Sequence, residues 1–450
     1  MNSDLEKGST ISDDEINTGH PIDSKKGPGQ VTIKENVPPP VYNYKDDPDN
    51  PLSWPRRRKV GNLSIVLSIC FMSYFSSTIY VPASHDIMMY FNTNLMIINA
   101  TFSLFLLMNG IAPLFWAPLS ERIGRRWVYI GAMTIYTLCT ILCGISNSIG
   151  MFFAFRILQG AFACVGQALG SGSVSDMFEA HERGKAMSYY VLSLILGPPV
   201  ASIAGGYIDE YLGWQWIFYI KTIMGGLLTV ISYFFLGETL YRPYQNKLPP
   251  PSNLQDRLKR LKFNPLSTFK LFKHPDIVLV CLPVGIAFGC FYFFVAILPA
   301  TFGPLYHFNP GKVGLCFIAG GLGNALGSIV AGRTSDKYCL HAAKRNNGVA
   351  VKEYRLRLMY FAVPFVLFGP IMYGWFLHFK LPWIAPLIAF TLSSFGSMFT
   401  VTIATTYLVD ANLQTAASAV SVNNFSRSLF AMLFSLTASE LRSVLGDGWT

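Results

Sequence analysis

Three basic side chains stand inside segments that are otherwise apolar. Arg156, Lys221 and Arg427 are each surrounded by long runs of hydrophobic residues. A charged side chain within a membrane-crossing segment is costly, so it normally faces a cavity, a partner or a pathway for ions or protons. These positions therefore predict the binding or movement of charge across a membrane.

A stripe of polar and small residues continues from Arg156 along one face of its segment. Its members follow steps of three and four residues, which is the spacing of one helix face: Arg156, Gln159, Ala163, Gln167 and Gly170. The stripe favours a cavity, although an arginine this close to the outer end could instead extend to the headgroups. For Lys221 we favour that extension, and for Arg427, in the middle of its segment beside Asn424, we favour polar surroundings.

Carboxylates and histidines are missing from the centres of the apolar segments. A proton-driven carrier needs a titratable group, and carboxylates within the membrane commonly serve. Coupling would then use a carboxylate at a segment end, such as Asp176 acting with Arg156 or with the basic loop described next. We accordingly predict that proton coupling or a cavity involves Arg156, Gln159, Asp176 and Arg427.

The connection at 118–126 combines an acid, three arginines and a glycine that permits a tight turn. Arginines of this kind form charge-assisted hydrogen bonds to carboxylates at neighbouring helix ends. We predict a cytosolic latch that breaks and reforms as two halves of the molecule rock; the alternative is a simple basic anchor. The latch residues are Glu121, Arg122, Arg125 and Arg126, with Asp336 at the corresponding place in the second half.

The segment near 187–208 carries small residues at intervals of four, which let a neighbouring helix approach closely. The helix-packing residues predicted there are Gly197, Pro198, Ala201, Gly205 and Gly206.

Composition explains why these residues must lie in a membrane. Hydrophobic residues make up 51% of the chain and charged residues 13%, and the mean hydropathy is +0.37. Soluble domains carry about 25% charged residues, whereas a span needs roughly 20 mostly apolar ones. Eleven such segments are predicted, six and then five, near 60–82, 97–119, 127–149, 150–173, 187–208, 214–237, 276–300, 313–333, 357–378, 383–407 and 415–440.

The net charge of +10 does not indicate nucleic acid, because the basic residues lie between the spans. With a cytosolic N-terminus, 29 of the 35 Lys and Arg residues are cytosolic and three are external, as the positive-inside rule requires. The predicted organisation is a disordered cytosolic tail at 1–58, a six-helix bundle at 59–237, a cytosolic loop at 238–275 and an incomplete five-helix bundle at 276–450. Two helical bundles joined by a cytosolic loop are typical of transporters, whose substrates bind between the two halves.

Several motifs in order resemble the major facilitator superfamily, and within it the fungal twelve-span drug:proton antiporters. They include Asp-Pro-Asp-Asn-Pro-Leu-Ser-Trp-Pro at 47–55, the loop at 118–126, Arg-Ile-Leu-Gln-Gly at 156–160, Tyr-Leu-Val-Asp at 407–410 and the stretch at 416–428. The resemblance implies an all-α, two-bundle transporter in which Arg156 takes part in proton coupling. The family's second Gly-Pro pair is replaced by Ala201 and Ser202, which weakens the implied antiport.

The sequence thus predicts a monomeric plasma-membrane carrier, with no cofactor or metal, that exports amphipathic organic compounds such as drugs or polyamines in exchange for protons. An apolar, aromatic cavity suits such substrates, and its predicted residues are Ser77, Tyr80, Phe291 and Tyr292. An enzyme is not expected, since the chain shows no phosphate loop, nucleophile–base pair or metal-ligand cluster. The alternative is a transporter-like sensor or a truncated product that does not transport, because the resemblance implies a twelfth span.

Overall fold

A computed structural model describes residues 50–241, 275–345, 353–411 and 416–449. All the regular elements in these ranges are helices. Ten of the described helices are long and apolar enough to cross a membrane, and one bent pair supplies an eleventh span. The all-α fold with eleven spans is confirmed. Most of the predicted tail and central loop lies outside the described residues, so the boundaries of the predicted domains stay predictions.

The N-terminal half contains six spans. A short helix, Ser84–Tyr90, follows the first span, on the side of the membrane that the basic residues predict to be the outer one. The second and fourth spans each consist of two consecutive helices. In order, the six spans are Arg56–Thr78, Leu95–Ile111 with Pro113–Ile123, Arg125–Gly144, Ile149–Ala163 with Val165–Met177, Ala180–Leu212 and Trp214–Phe235.

The C-terminal half contains the other five. A single-turn helix, Tyr354–Arg357, precedes the ninth span on the cytosolic side. In order, the seventh to eleventh spans are Pro275–Tyr306, Pro310–Arg345, Met359–His378, Ile384–Ala411 and Ala416–Trp449. The backbone of the last helix departs from helical geometry at Gly446.

Two glycines make the tight connections of the N-terminal half. Gly124 joins the second and third spans with φ at 111°, and Gly213 joins the fifth and sixth with φ at 88°. Only glycine adopts this region at little cost, since a side chain would collide with the backbone. The antiparallel pairs can therefore follow one another with a single residue between helices.

The second span bends by 41° between its two helices. Pro113 stands at the start of the inner helix, and proline cannot donate the backbone hydrogen bond that would continue the preceding turn. The outer helix, Leu95–Ile111, packs along the eleventh span, while the inner helix packs on the fourth. The outer helix of this span therefore packs against the other half, and the inner helix packs within its own half.

The two halves meet along two pairs of spans. In the first pair, Asn99 donates to Ser439 at 2.6 Å, and the hydroxyls of Ser103 and Ser435 lie 2.7 Å apart. Farther inward, a side chain at Gly110 would collide with the eleventh span. These contacts join the second and eleventh spans from their outer ends toward the membrane centre.

The second pair consists of the fifth and eighth spans. Glu210 accepts hydrogen bonds from the backbone of Gly311 at 3.1 Å and from Asn309 at 3.2 Å. A side chain at Gly206 would overlap the carbonyl oxygen of Pro310. Because these residues are at the outer ends of both helices, the halves are closed against each other on the outer side.

Candidate functional site

A small cavity of about 20 Å³, room for about one water molecule, lies between the two halves. Three spans of the N-terminal half and two of the C-terminal half line it, so a bound molecule would touch both. Its wall includes three of the predicted site residues, Ser77, Tyr292 and Arg427. The complete lining is Ser73, Tyr74, Ser77, Leu106, Asn109, Gln167, Phe288, Tyr292, Arg427, Ser428 and Ala431.

Arg427 brings the only formal charge to this lining. Its guanidinium lies over the ring of Phe288, 4.5 Å from the ring centroid. The Nε atom is buried and has no hydrogen-bond partner among the described residues. A cation–π contact with one face of the guanidinium leaves its hydrogen-bonding edge available.

Aromatic residues of the seventh span form one wall of the cavity. Tyr292 lies 5.0 Å from Phe288 between ring centroids, and 5.8 Å from Phe102 of the second span. Ser77 of the first span lies in the same lining, where its hydroxyl donates to the carbonyl of Tyr74 at 2.6 Å. The predicted contribution of Ser77 and Tyr292 to the cavity therefore agrees with their position.

Tyr80 and Phe291, which were also assigned to the cavity, lie elsewhere. Tyr80 is 1% exposed and is 3.1 Å from the Thr101 hydroxyl inside the N-terminal half. Phe291 stacks on Phe390 of the tenth span, with centroids 5.9 Å apart. Both side chains face the packed interior of their own half. The sequence could not separate this location from the cavity, because an apolar pattern suits both.

Arg156 is fully buried within the N-terminal half, away from the central cavity. It donates a hydrogen bond to Gln159, which in turn donates to Thr140 of the third span at 2.6 Å. Its guanidinium lies between the rings of Tyr80 and Phe105, 4.0 and 4.5 Å from their centroids. Arg156 does not extend to the headgroups; it connects four spans from the inside.

Lys221 of the sixth span is buried near the same aromatic cluster. It is 0% exposed, and within the described ranges its Nζ atom has no hydrogen-bond partner. The nitrogen lies 4.3 Å from the centroid of Phe218, whose ring packs 6.4 Å from that of Tyr80. The expected extension to the headgroups is therefore wrong for Lys221.

Asp176 lies at the cytosolic end of the fourth span, paired with a latch arginine. Its Oδ2 atom is 2.6 Å from Nε of Arg125. Twenty helical residues separate Asp176 from Arg156, which corresponds to about 30 Å along a helix. Of the two partners considered from sequence, the structure places only the latch arginine beside Asp176.

Glu238 completes this latch and was missed by sequence reasoning. Its two carboxylate oxygens accept backbone hydrogen bonds from Arg125 at 2.9 Å and Arg126 at 3.2 Å, at the start of the third span. A carboxylate at a helix N-terminus satisfies unpaired N–H groups and complements the helix dipole. The available signal was an acidic residue immediately after the sixth span.

Replacing Glu238 with alanine should destabilise the fold by about 1–2 kcal/mol, the cost of losing a helix cap. Glu238→Gln should lose less stability than Glu238→Ala, since one oxygen remains as an acceptor. Thermal unfolding of the purified protein measures both. Glu182→Ala, which removes an exposed acid at the cytosolic end of the fifth span, is the matched control. Equal melting temperatures for the two alanine variants would contradict the capping role.

The C-terminal half repeats the arginine–aspartate pair. Arg355, which precedes the ninth span, lies 3.0 Å from Oδ2 of Asp410 at the end of the tenth. It also donates to Ser335 at 2.8 Å. Arg125 and Asp176 occupy the equivalent places on the third and fourth spans. Each half therefore carries its own ion pair between its third and fourth spans.

The other latch residues surround the first of these pairs. Glu121 and Arg122 are exposed at the end of the second span. Arg126 donates to the carbonyl of Tyr233 at 2.7 Å. Asp336 belongs to the eighth span, and its side chain lies outside the described residues.

The small residues of the fifth span face two neighbours. A Cβ at Gly197 would lie 2.8 Å from Tyr74 Cβ, and one at Gly205 would overlap the carbonyl oxygen of Ile79. Gly206 faces the eighth span instead, as described above. Ala201 is fully buried, and the carbonyl of Pro198 accepts a hydrogen bond from Thr78 at 3.2 Å. The helix-packing residues thus lie against the first and eighth spans.

Asp209, at the outer end of the fifth span, is a buried carboxyl group that sequence reasoning set aside. It is 5% exposed, and neither carboxylate oxygen has a conventional donor. The carboxyl group of Asp86, on the short outer helix, lies close enough to interact with it electrostatically. Two neighbouring carboxyl groups favour the binding of a proton by one of them, so this pair can hold a proton on the outer side.

The part of the chain that the structure describes contains no cluster of metal-ligand side chains. There, no group of three His, Cys, Asp or Glu side chains is placed to hold an ion.

The sequence matches the model of the Major Facilitator Superfamily over residues 66–435. An MFS transporter named fsa7, from Fusarium sp. (strain FN080326), is 34% identical over 96% of this chain and 88% of its own length. The MFS-type transporter penM of Penicillium rubens is 33% identical over 95% and 87%. The efflux pump radE of Floropilus chiversii is 32% identical over 91% and 79%.

Solved structures share the architecture. A bacterial homologue of the human lysosomal transporter Spinster, in an inward-facing and unoccupied conformation, superposes with a TM-score of 0.66 over 87% of this chain and 84% of its own, at 15% identity. A D-xylose–proton symporter superposes with a TM-score of 0.63, covering 84% of this chain and 89% of its own, also at 15% identity. At these identities the likeness concerns the fold.

Proposed function

Because the chain belongs to the major facilitator superfamily, we propose that it is a secondary transporter that exports amphipathic organic compounds in exchange for protons. We place it as a monomer in the fungal plasma membrane. A two-bundle carrier moves its substrate by exposing a site between the halves to each side in turn. The name of the similar efflux pump radE supports the outward direction.

The observation that carries this proposal is the cavity between the halves. The contacts described between the halves run from the outer ends of their helices to the level of Gly110, beside Ser428 of the cavity wall. The inner helix of the second span bends away from the eleventh. The described contacts therefore close the outer side, and export requires this small cavity to widen toward the cytosol to admit a compound.

The lining also supports an amphipathic cargo. Tyr292, Phe288 and Leu106 offer apolar surface, and serine, amide and tyrosine groups offer neutral hydrogen-bonding partners. Pockets of this mixture suit lipophilic organic molecules. Polyamines are a poor match, because this lining contains Arg427 and no carboxylate.

Two carboxyl sites support the exchange of protons. The pair of Asp209 and Asp86 lies on the outer side, beside the contacts of Glu210 with the eighth span. Asp176 lies on the cytosolic side, where protonation would break its ion pair with Arg125. We propose that protons bind at the outer pair while the halves are open outward, and that Asp176 links proton release to movement of the latch.

Transport by the purified protein in proteoliposomes tests the proposal. A lipophilic fluorescent compound should move against its gradient when a pH gradient is imposed, and a protonophore should abolish this movement. Asp209→Asn should reduce the gradient-driven flux by about tenfold or more, as removal of a proton site would. Asp276→Asn, an exposed acid at the start of the seventh span, is the matched control. Equal flux with and without a pH gradient would rule out antiport.

A further inference from the structure

We infer that the cargo of this carrier bears an acidic group, such as a carboxylate or an acidic enol, and that Arg427 binds it. The inference rests on the proposed transport function and specifies its substrate class. Its basis is the position of a single arginine in the wall of the central cavity.

The geometry leaves the guanidinium ready for a ligand. Phe288 covers one face at 4.5 Å, which fixes the plane of the group. Nε is buried without a protein partner. Guanidinium presents a planar fork of donors that matches an anionic oxygen pair, and it stays charged in any protein environment.

The charge of the cavity also favours an acidic cargo. Every other side chain of the lining is neutral, and none is a carboxylate. A permanent cation between membrane-crossing helices is costly unless an opposite charge compensates it. An acidic cargo supplies that charge, whereas a cationic cargo would meet repulsion in surroundings of low polarity.

The neighbours of Arg427 can complete the recognition of an acid. Asn109 and Gln167 have amide N–H₂ groups and Tyr74 has a hydroxyl, all in the same lining, and such donors can share an anionic oxygen. Beside Arg427, Phe288 and Tyr292 supply aromatic surface. The cargo that fits is therefore a compound with a flat apolar body and one acidic end.

Binding of three matched probes tests the inference. The probes are 1-pyrenebutyric acid, 1-pyrenebutanol and 1-pyrenebutylamine, which share a pyrene body and differ in the charge of the end group. Fluorescence titration would use the full chain in nanodiscs, with empty nanodiscs as the blank. We expect the acid to bind roughly tenfold or more tightly than the alcohol, and the amine to bind most weakly.

Arg427→Gln should weaken binding of the acid by roughly tenfold to a hundredfold, the range for losing a hydrogen bond to a charged group. Its binding of the alcohol should stay unchanged, which also shows that the variant is folded. Arg427→Lys should keep part of the preference. Arg442→Gln, on the same span but outside this cavity, should keep all of it.

Two results would overturn the inference: equal affinity of the wild type for acid and alcohol, or an equal loss for all three probes in Arg427→Gln. Neither depends on transport. If the acid binds through Arg427 but a pH gradient drives no flux, antiport fails and the recognition of acids stands. If gradient-driven flux is found only for the alcohol and the amine, transport stands and the inference fails.

Discussion

Gly205→Ala should sharply reduce the amount of folded protein, and what remains should melt several degrees lower. The added methyl group would overlap the carbonyl oxygen of Ile79 in the first span. A backbone oxygen cannot rotate away as a side chain can, so the two spans would have to separate. Overpacking of this kind costs typically 1–3 kcal/mol, which exceeds the gain of up to about 1 kcal/mol that alanine brings to a helix.

Gly184→Ala, on the same span, is the control for this prediction. A methyl group there meets no atom within 4 Å, so the helix should be unaffected or slightly stabilised. Size-exclusion chromatography and thermal unfolding in detergent compare the two variants. Equal yields and melting temperatures would show that the first and fifth spans tolerate a wider spacing than the structure gives.

Arg156→Met should abolish most gradient-driven transport, with a loss of tenfold or more, while leaving the protein folded. Methionine fills much of the same space, and replacing a buried charge by a well-packed apolar group is often neutral or stabilising. What disappears is the hydrogen-bonded connection through Gln159 to Thr140 and the contacts with Tyr80 and Phe105. We expect Arg156→Lys to retain the charge but only part of the activity, since lysine lacks the planar fork.

Lys221→Met separates the effect of Arg156 from that of any buried cation. Lys221 is equally inaccessible and lies against the same aromatic cluster, yet its nitrogen has no bonded partner to lose. This variant should fold at least as well as the wild type and continue to transport. The same loss of flux in both variants would mean that Arg156 has no specific part in coupling.

The count of spans was predictable because the cost of unpaired backbone in lipid forces each apolar run into a helix. The bend in the second span was not anticipated. The sequence around Ala112 and Pro113 forms one continuous apolar segment. Only the packing of its two parts on different neighbours shows the kink.

The direction in which a side chain points was harder to predict. Tyr80 and Phe291 are close in sequence to Ser77 and Tyr292, but each of the first two lies in the interior of its own half, whereas the other two line the cavity. In a membrane protein the lipid, the bundle interior and the cavity all accept apolar groups, so hydrophobic periodicity does not separate them. Polar stripes are no better guide, since Arg156 and Gln159 lie in the bundle interior while Gln167 of the same stripe lines the cavity.

Contacts between distant segments were beyond sequence reasoning for a different reason. Glu238 follows the sixth span and Asp410 lies in the last turn of the tenth, where acids are common, and nothing local specifies their partners. The pair of Arg125 with Asp176 was one of the alternatives that the sequence offered, whereas the pair of Arg355 with Asp410 became recognisable only in the structure.

The position of Arg427 has an electrical consequence. A charge that crosses the full membrane voltage changes in free energy by about 2.3 kcal/mol per 100 mV, and a rocking movement shifts this arginine through part of that field. With an acidic cargo bound, the cavity is nearly neutral, so its outward step would be almost insensitive to voltage. The empty cavity keeps its positive charge, and a voltage that is negative inside would favour its return toward the cytosol. The resting voltage of the cell would then reset the carrier rather than drive the cargo.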